Sequence, residues 1–560
     1  MNKPWLDSYP NGVPAEIDLG KYSSIIDLFE QSCAEHKDKT AFINFDTKLT
    51  YGELDVHTRN FAAWLQGKGL KKGDRIAMMM PNILQYPIAI FGALRAGLVV
   101  VNTNPMYTAR ELKHQLTDSG ARAIVVVENF AHVLQKVKSD TPLEHVITTG
   151  VGDMISFPKG ALMNFVLKYV KKAIPPWSLP GSTSFRDVLK QGAGQTLQGA
   201  EVALDDLAFL QYTGGTTGVA KGAMLTHKNL VANMLQAKAW MSASGIGDDR
   251  EIIVTALPLY HIFALTANCL VYVALGGINL LIPNPRDMEG FIKELSKVPF
   301  SVITGVNTLF NSMLNTPGFA ELDFSTLKGA LGGGMAVQRA VAEHWKEVTG
   351  TTLVEAYGLT ETSPAACINP MDIEEYNGCI GLPVPSTECG IMNDAGELLP
   401  QGERGELVIR GPQVMKGYWQ RPEETANVIT EDGWLRTGDV AMMTENGFFK
   451  IVDRKKDMIL VSGFNVFPNE IEDVVAMHPK VLEVAAIGKP DAKSGELVKV
   501  FVVKSDPSLT EEELRAHCTE QLTGYKRPRE IEFRDELPKT NVGKILRREL
   551  RDEEIKKAQS

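Results

Sequence analysis

Residues 207–223 read LAFLQYTGGTTGVAKGA, an apolar run that breaks into glycines and threonines and ends in a lysine-containing turn. The run LAFLQ predicts a buried strand, and the Gly/Thr string after it predicts the loop by which the chain leaves the sheet. That loop, from Thr213 to Lys221, has the chemistry of a polyphosphate site. Gly214, Gly215 and Gly218 let backbone amides approach phosphate oxygens, the hydroxyls of Thr213, Thr216 and Thr217 add donors, and Lys221 supplies positive charge. It is not a Walker A loop, because Ala220 rather than glycine precedes the lysine. On residue types alone the segment reads equally well as a plain turn, so its surroundings decide.

Between residues 25 and 300, strand-like apolar runs alternate with amphipathic stretches: RIAMMM at 75–80, AIVVV at 123–127, HVITT at 145–149. That rhythm predicts parallel α/β sheets. After about residue 385 it gives way to short strands and turns, GELVIRG from Gly405, GWLRTGD from Gly433 and GFFKIVDR from Gly447, which predict a small barrel or antiparallel sheet. From Asp457 onward a helix over 468–477, the strands EVAAIG and VKVFVV, and a helix over 510–522 predict a separate α+β unit. The expected division is therefore 1–452, a charged junction DRKK at 453–456, and 457–560.

A chain of 560 residues is too long for one hydrophobic core. With 44% hydrophobic and 22% charged residues it reads as multidomain and globular. The net charge of −10 argues against a protein that grips nucleic acid. Six scattered cysteines, with no Cys-x-x-Cys pair, disfavour structural zinc and a disulfide framework and fit a reducing cytosol. The polar segment 1–20, with Pro4, Pro10 and Pro14, lacks the apolar centre of a secretory signal. The longest apolar stretches, at 86–101 and 269–283, are broken by Arg95 or by Gly276 and Gly277 and are shorter than a roughly 20-residue span, so they predict buried elements.

One segment stands apart. Residues 157–177, FPKGALMNFVLKYVKKAIPPW, set Lys159, Lys168, Lys171 and Lys172 among Leu162, Phe165, Val166, Tyr169 and Val170. Two readings are open: a helix lying peripherally on the anionic inner face of the cell membrane, or a surface helix whose apolar stripe packs on its own domain.

Seven strings then settle the loop: YTGGTTGVAKGA from Tyr212, LPLYHIFAL from Leu257, GGGMAV from Gly332, EAYGLTE from Glu355, WLRTGD from Trp434, DRKKDMILVSGFNVFPNEIE from Asp453 and PKTNVGKILRREL from Pro538. In this order they resemble the core motifs of the adenylate-forming superfamily, which includes acyl-CoA synthetases, firefly luciferase and the adenylation domains of peptide synthetases. Residues 432–456 are similar to the signature of fatty-acyl-CoA synthetases. The resemblance implies a large N-terminal domain of parallel α/β subdomains with a small β-barrel-like subdomain, followed by a small mobile α+β domain. It also implies ATP-dependent activation of long-chain fatty acids through an acyl-adenylate, with release of AMP and pyrophosphate and transfer to CoA.

Roles follow by resemblance, residue by residue. The loop from Thr213 to Lys221 would hold the β- and γ-phosphates, and Thr216 and Glu361 would position Mg²⁺, a hard cation suited to oxygen ligands. Gly333, Gly334 and Tyr357 fall at the adenine site, Gly358 and Thr360 are further nucleotide-binding positions, and Asp439 and Arg454 match the residues that hold the ribose hydroxyls. Lys544 would bridge the incoming carboxylate and the α-phosphate as charge accumulates between them. Thioester formation implies rotation of the C-terminal domain about Lys456, which would bring Gly463 to the pantetheine channel. His261, Phe263, Thr304, Gly305 and Val306 match positions near the acyl pocket.

Amino-acid-activating relatives carry an aspartate in the motif that reads LYHIFAL here. None is present, which favours an apolar tail, since a buried ammonium without a partner is costly. Ala336 stands where many relatives have proline and Ala356 where glycine is common. No Gly-x-Ser-x-Gly elbow occurs, and Ser325 and Lys328 match Ser-x-x-Lys without its companion motifs, so hydrolase chemistry is disfavoured. The alternatives are a medium-chain or aryl acid ligase of the same family and a noncatalytic lipid- or nucleotide-binding relative. A homodimer is a family-level expectation.

Overall fold

The computed structural model describes residues 3–213, 220–247, 251–491 and 493–559, with side chains to residue 557. A seven-stranded sheet runs in the order Thr183–Ser184, His145–Thr149, Ala123–Val127, Arg75–Met79, Val99–Asn102, Leu207–Thr213, Lys221–Thr226. Its strands are parallel except for the last. The run AIVVV is buried at every position, as a central parallel strand covered on both faces requires.

A nine-stranded sheet has the order Leu382–Pro383, Ala365–Ile368, Leu353–Gly358, Gly329–Gly333, Val302–Gly305, Ile252–Thr255, Ile278–Leu281, Thr40–Asn44, Thr47–Thr50. It is parallel from Leu353–Gly358 through Thr40–Asn44. The largest apolar cluster draws on both sheets and on the helices Ile25–Glu35, Tyr51–Gly67, Gln85–Arg95 and His227–Ala243. Every residue of Gln85–Arg95 is buried, Arg95 included. Its guanidinium is paired with Glu30 at 3.1 Å and Asp55 at 2.5 Å, which is how an arginine survives inside an apolar run.

Of the two small β forms left open by the sequence, the chain adopts an antiparallel sheet: Glu388–Met392, Arg404–Arg410, Leu435–Met443 and Phe449–Arg454. Beyond it lies a five-stranded sheet of Ile459–Val461, Phe464–Val466, Val481–Asp491, Gly495–Lys504 and Glu530–Arg534. Helices Pro468–Ala476 and Glu511–Gln521 fall within two residues of their expected bounds. This C-terminal unit has its own apolar clusters. It touches the rest through Asn311 Nδ2 donating to Leu482 O at 2.7 Å, Thr308 Oγ1 donating to Gly543 O at 2.9 Å, and the Arg339 amide reaching Asp473 at 3.3 Å. The carboxyl ends of parallel strands thus converge beneath it, where open α/β sheets place their ligand crevice.

Candidate active site

A cavity of about 1980 Å³ opens between the two units, well above the ~300–1,000 Å³ of a pocket for one small ligand. Thr213, Lys221, His261, Phe263 and Thr304 line it, as do Gly333, Gly334, Tyr357, Gly358, Thr360 and Glu361. From the small sheet and the C-terminal unit come Asp439, Arg454, Lys456 and Lys544. Gly214, Gly215, Thr216, Thr217 and Gly218 lie outside the described residues. Their frame is described: Thr213 pairs across the antiparallel ladder with Lys221, so the loop connects two registered strands.

Lys544 sits in a turn closed by the Thr540 amide donating to Lys544 O at 2.7 Å and the Lys544 amide donating to Thr540 Oγ1 at 3.0 Å. Its stem crosses Gly334, where a Cβ would meet Lys544 Cε at 3.1 Å and Nζ at 3.5 Å. Gly334 has φ +78°, so both its conformation and this close approach call for glycine. Burial, reinforced by the like charge of Arg454, lowers the Lys544 ammonium to about 8, against the attraction of Asp439 and Glu361. Burial and the same lysine lower His261 to about 3, so its imidazole is neutral.

Asp439 and Arg454 lie directly opposite on adjacent strands, with Arg454 Nε 3.3 Å from one carboxylate oxygen. Tyr357 O–H donates to the other at 2.5 Å. Burial raises Asp439, with Arg454 as the leading opposing influence. Gly358 follows Tyr357 at a point where a Cβ would lie within 1.9 Å of Pro364 O. No side chain fits there, and the Thr360–Thr362 turn that carries Glu361 can therefore fold back against the strand.

Glu361 accepts from Tyr418 O–H at 2.7 Å, and the Met415 amide donates to Glu361 O at 2.8 Å. Lys221 lies 5.3 Å from the Tyr418 ring and pairs with Glu424. Tyr418 and Glu424 thus tie the lysine of the loop to the carboxylate of EAYGLTE. Neither was singled out from the sequence, and GYWQRPEE carries no periodic signal that would have done so.

From the turn LYHIFAL, Phe263 backs Gly333, whose Cβ would be 3.0 Å from the ring. Thr304 Oγ1 donates to Asn268 at 3.0 Å. Gly305 and Val306 do not line the cavity. A Cβ on Gly305 would meet the Phe310 ring at 2.9 Å, and Val306 packs toward Gly543. Thr266, Ala267 and, from helix His227–Ala243, Ala237, Trp240 and Met241 also line the cavity, and the helix residues were missed because that helix is buried on most sides and offers no single face. Glu355 was also missed. It lines the cavity beside Tyr376, and burial pushes its carboxyl up to about 8.

Gly463 stands away from this set, at φ +82° in the exposed turn between Ile459–Val461 and Phe464–Val466. The junction is clamped by Arg547, which donates to Glu472 at 2.6 Å and Asn469 at 2.5 Å and lies 3.4 Å from Asp453. Arg551 donates to Asp457 at 2.7 Å. Lys456 is exposed at this junction, and partial desolvation first and the like charge of Arg454 second lower its ammonium.

Known proteins share this arrangement. The chain matches the AMP-binding enzyme family over residues 29–419 and the AMP-binding enzyme C-terminal domain over residues 470–544. It is 59% identical to a long-chain-fatty-acid–CoA ligase of Escherichia coli O6:H1, covering 99% of this chain and 98% of that one. It is 57% identical to that of Haemophilus influenzae, covering 100% and 99%. Among solved structures, the anthranilate CoA ligase AuaEII in complex with anthranoyl-AMP superposes with a TM-score of 0.87 at 25% identity, covering 97% of this chain and 100% of that one. The fold is accordingly that of adenylate-forming enzymes, a large α/β domain of parallel sheets with a smaller α+β domain. With the motif-bearing strand ends gathered on one cavity and the match running through both units, the chain belongs to the AMP-binding enzyme family.

Proposed function

We propose that this chain converts long-chain fatty acids to acyl-CoA, using ATP to form an acyl-adenylate and releasing pyrophosphate and AMP. The observation that carries the reading is Lys544 crossing Gly334 in the same cavity as Glu361, Tyr357 and the Asp439–Arg454 pair. An ammonium at that point lies between a nucleotide held by Asp439 and an acid held beside Phe263, where negative charge gathers as carboxylate attacks the α-phosphate. The carboxylate is itself the nucleophile, so no side chain need be activated. Asp439 offers a double acceptor for the ribose diol, and Tyr357 gives the purine an aromatic face.

Mg²⁺ bound with the phosphates would neutralise their charge. Glu361 lines the cavity with an oxygen ligand of the kind it prefers, and Thr216 would supply a second. Among the described residues no cluster of three or more His, Cys, Asp or Glu side chains could hold a metal alone, and a magnesium that arrives on a nucleotide needs none, since it keeps waters and phosphate oxygens as ligands. For the second half-reaction the unit 457–560 turns about Lys456. Lys544 is then withdrawn and Gly463 is brought toward the CoA thiol.

The length of the acid is inferred from the apolar side chains in the cavity lining, Ala267, Trp240 and Met241 among them, and from the long-chain ligases at nearly 60% identity. Peripheral membrane contact belongs to the same reading, because long-chain acids partition into bilayers. Among the described residues no helix is long and apolar enough to cross one. The test is AMP release with Mg-ATP, CoA and acids from acetate to oleate, with ferulate and anthranilate as aryl controls. CoA-dependent AMP formation should be greatest with the long chains. A maximum at aryl or short acids would discard the substrate and keep the chemistry.

A pH dependence follows from Lys544. Its ammonium is charged below about 8 and loses its proton as pH rises through that value. The kcat/KM for adenylation, which reports the free enzyme, should therefore fall above pH 8. The rate of thioester formation from supplied acyl-adenylate should not fall over the same range.

A further inference from the structure

The segment 157–172 packs the wrong way round for an ordinary surface helix. Helix Lys159–Phe165 continues into a π-helical turn, Val166–Val170. The side turned to the body carries Gly160 and Asn164, with Met163, Val166 and Leu167 partly covered. A Cβ on Gly160 would lie 2.3 Å from Gly152 O. Asn164 accepts from the Gly152 amide at 2.7 Å and donates to Asp153 at 2.9 Å, and Lys159 donates to Phe45 O at 2.7 Å and Asp46 at 2.6 Å. The outward face is apolar: Phe157 is 89% exposed, Leu162 63%, Phe165 55%, Tyr169 61% and Val170 65%. These are five of the twelve large apolar side chains exposed among the described residues, and such clustering marks an interaction surface.

Lys168, Lys171 and Lys172 flank this face without an ion pair to a carboxylate among the described residues; Lys168 lies over the Tyr169 ring and exerts a longer-range attraction on Glu128. Their charge chooses the occupant. In a two-fold contact between copies of this chain the same lysines would be brought together, whereas an anionic surface neutralises them. The chain as a whole carries −10 and is repelled by such a surface, so a local basic patch would also set its orientation. We propose that 157–172 is a lipid-contact element that lays Phe157, Leu162, Phe165, Tyr169 and Val170 into the headgroup boundary of an anionic bilayer while Lys168, Lys171 and Lys172 meet the lipid phosphates. The inference deepens the membrane contact of the ligase reading by naming the element that makes it, and its evidence is this surface, not the chemistry of the cavity.

The test is flotation of the full-length protein with phosphatidylcholine vesicles, with and without about one third phosphatidylglycerol. The parent should partition to the anionic vesicles, and less so at high salt. Changing Lys168, Lys171 and Lys172 together to glutamine should lower that partition about a hundredfold, at about fivefold for each basic residue near an anionic surface. Phe165→Ser with Tyr169→Ser should also release the protein. Both variants should form AMP from a detergent-dispersed acid at the parent rate, which separates failure here from failure of the ligase reading. Equal partition of parent and both variants would overturn the proposal, as would a self-association that Phe165→Ser with Tyr169→Ser abolishes.

Discussion

Replacing Lys544 by alanine is expected to slow acyl-adenylate formation from acid and ATP by about 10³-fold, the size of effect seen when a preorganised charge aimed at a developing oxyanion is lost. Thioester formation from supplied acyl-adenylate should stay within about threefold of the parent, because the lysine contributes only to the first transition state. The structure favours this separation. Lys544 is reached through one turn, docked by Thr308 on Gly543, and its stem fills the space above Gly334 without a hydrogen bond from its ammonium among the described residues. Alanine removes the charge and leaves the turn. Equal loss in both half-reactions would show that the residue acts through the fold, and the assigned role would be withdrawn.

The second large effect is expected at Asp439. Asp439→Asn keeps the shape and an acceptor for Tyr357 but removes the charge that faces Arg454 at 3.3 Å. With a charge-assisted acceptor contributing roughly 1.5–3 kcal/mol per hydrogen bond, loss of the ribose contacts should raise the KM for ATP about a hundredfold. The KM for the acid should stay near the parent value. Tyr357→Phe is the control, since it removes the hydroxyl that donates to Asp439 but keeps the ring and the Asp439 charge, and its effect on ATP should be under about tenfold. An Asp439→Asn enzyme with unchanged ATP affinity would move the ribose site elsewhere in the cavity.

The candidate site was legible chiefly through the resemblance of its motifs to those of a known family. GGGMAV and EAYGLTE stand at the carboxyl ends of the parallel strands Gly329–Gly333 and Leu353–Gly358, WLRTGD opens the antiparallel strand Leu435–Met443, and residues of all three line one cavity. What stayed hidden is pairing across long separations. Tyr418 and Glu361 are 57 residues apart, and Thr308 and Gly543 are 235 apart. Helix His227–Ala243 lines the cavity although nothing in its pattern distinguishes the cavity side. For 157–172 the period showed an apolar stripe but not which way it turns. That depended on Gly160 and Asn164, whose small and polar side chains bind the helix to the body and leave the stripe outside. Gly305 and Val306 were marked only by resemblance to acyl-pocket positions of related ligases, and contacts such as that of Gly305 with the Phe310 ring cannot be read from the local sequence.

The central claim is that activation passes through an acyl-adenylate formed before CoA takes part. It is tested most directly by exchange of labelled pyrophosphate into ATP with oleate present and CoA withheld. Oleate-dependent exchange that disappears in Lys544→Ala is the predicted result. Turnover that requires CoA for any exchange, or that yields ADP in place of AMP, would contradict the account.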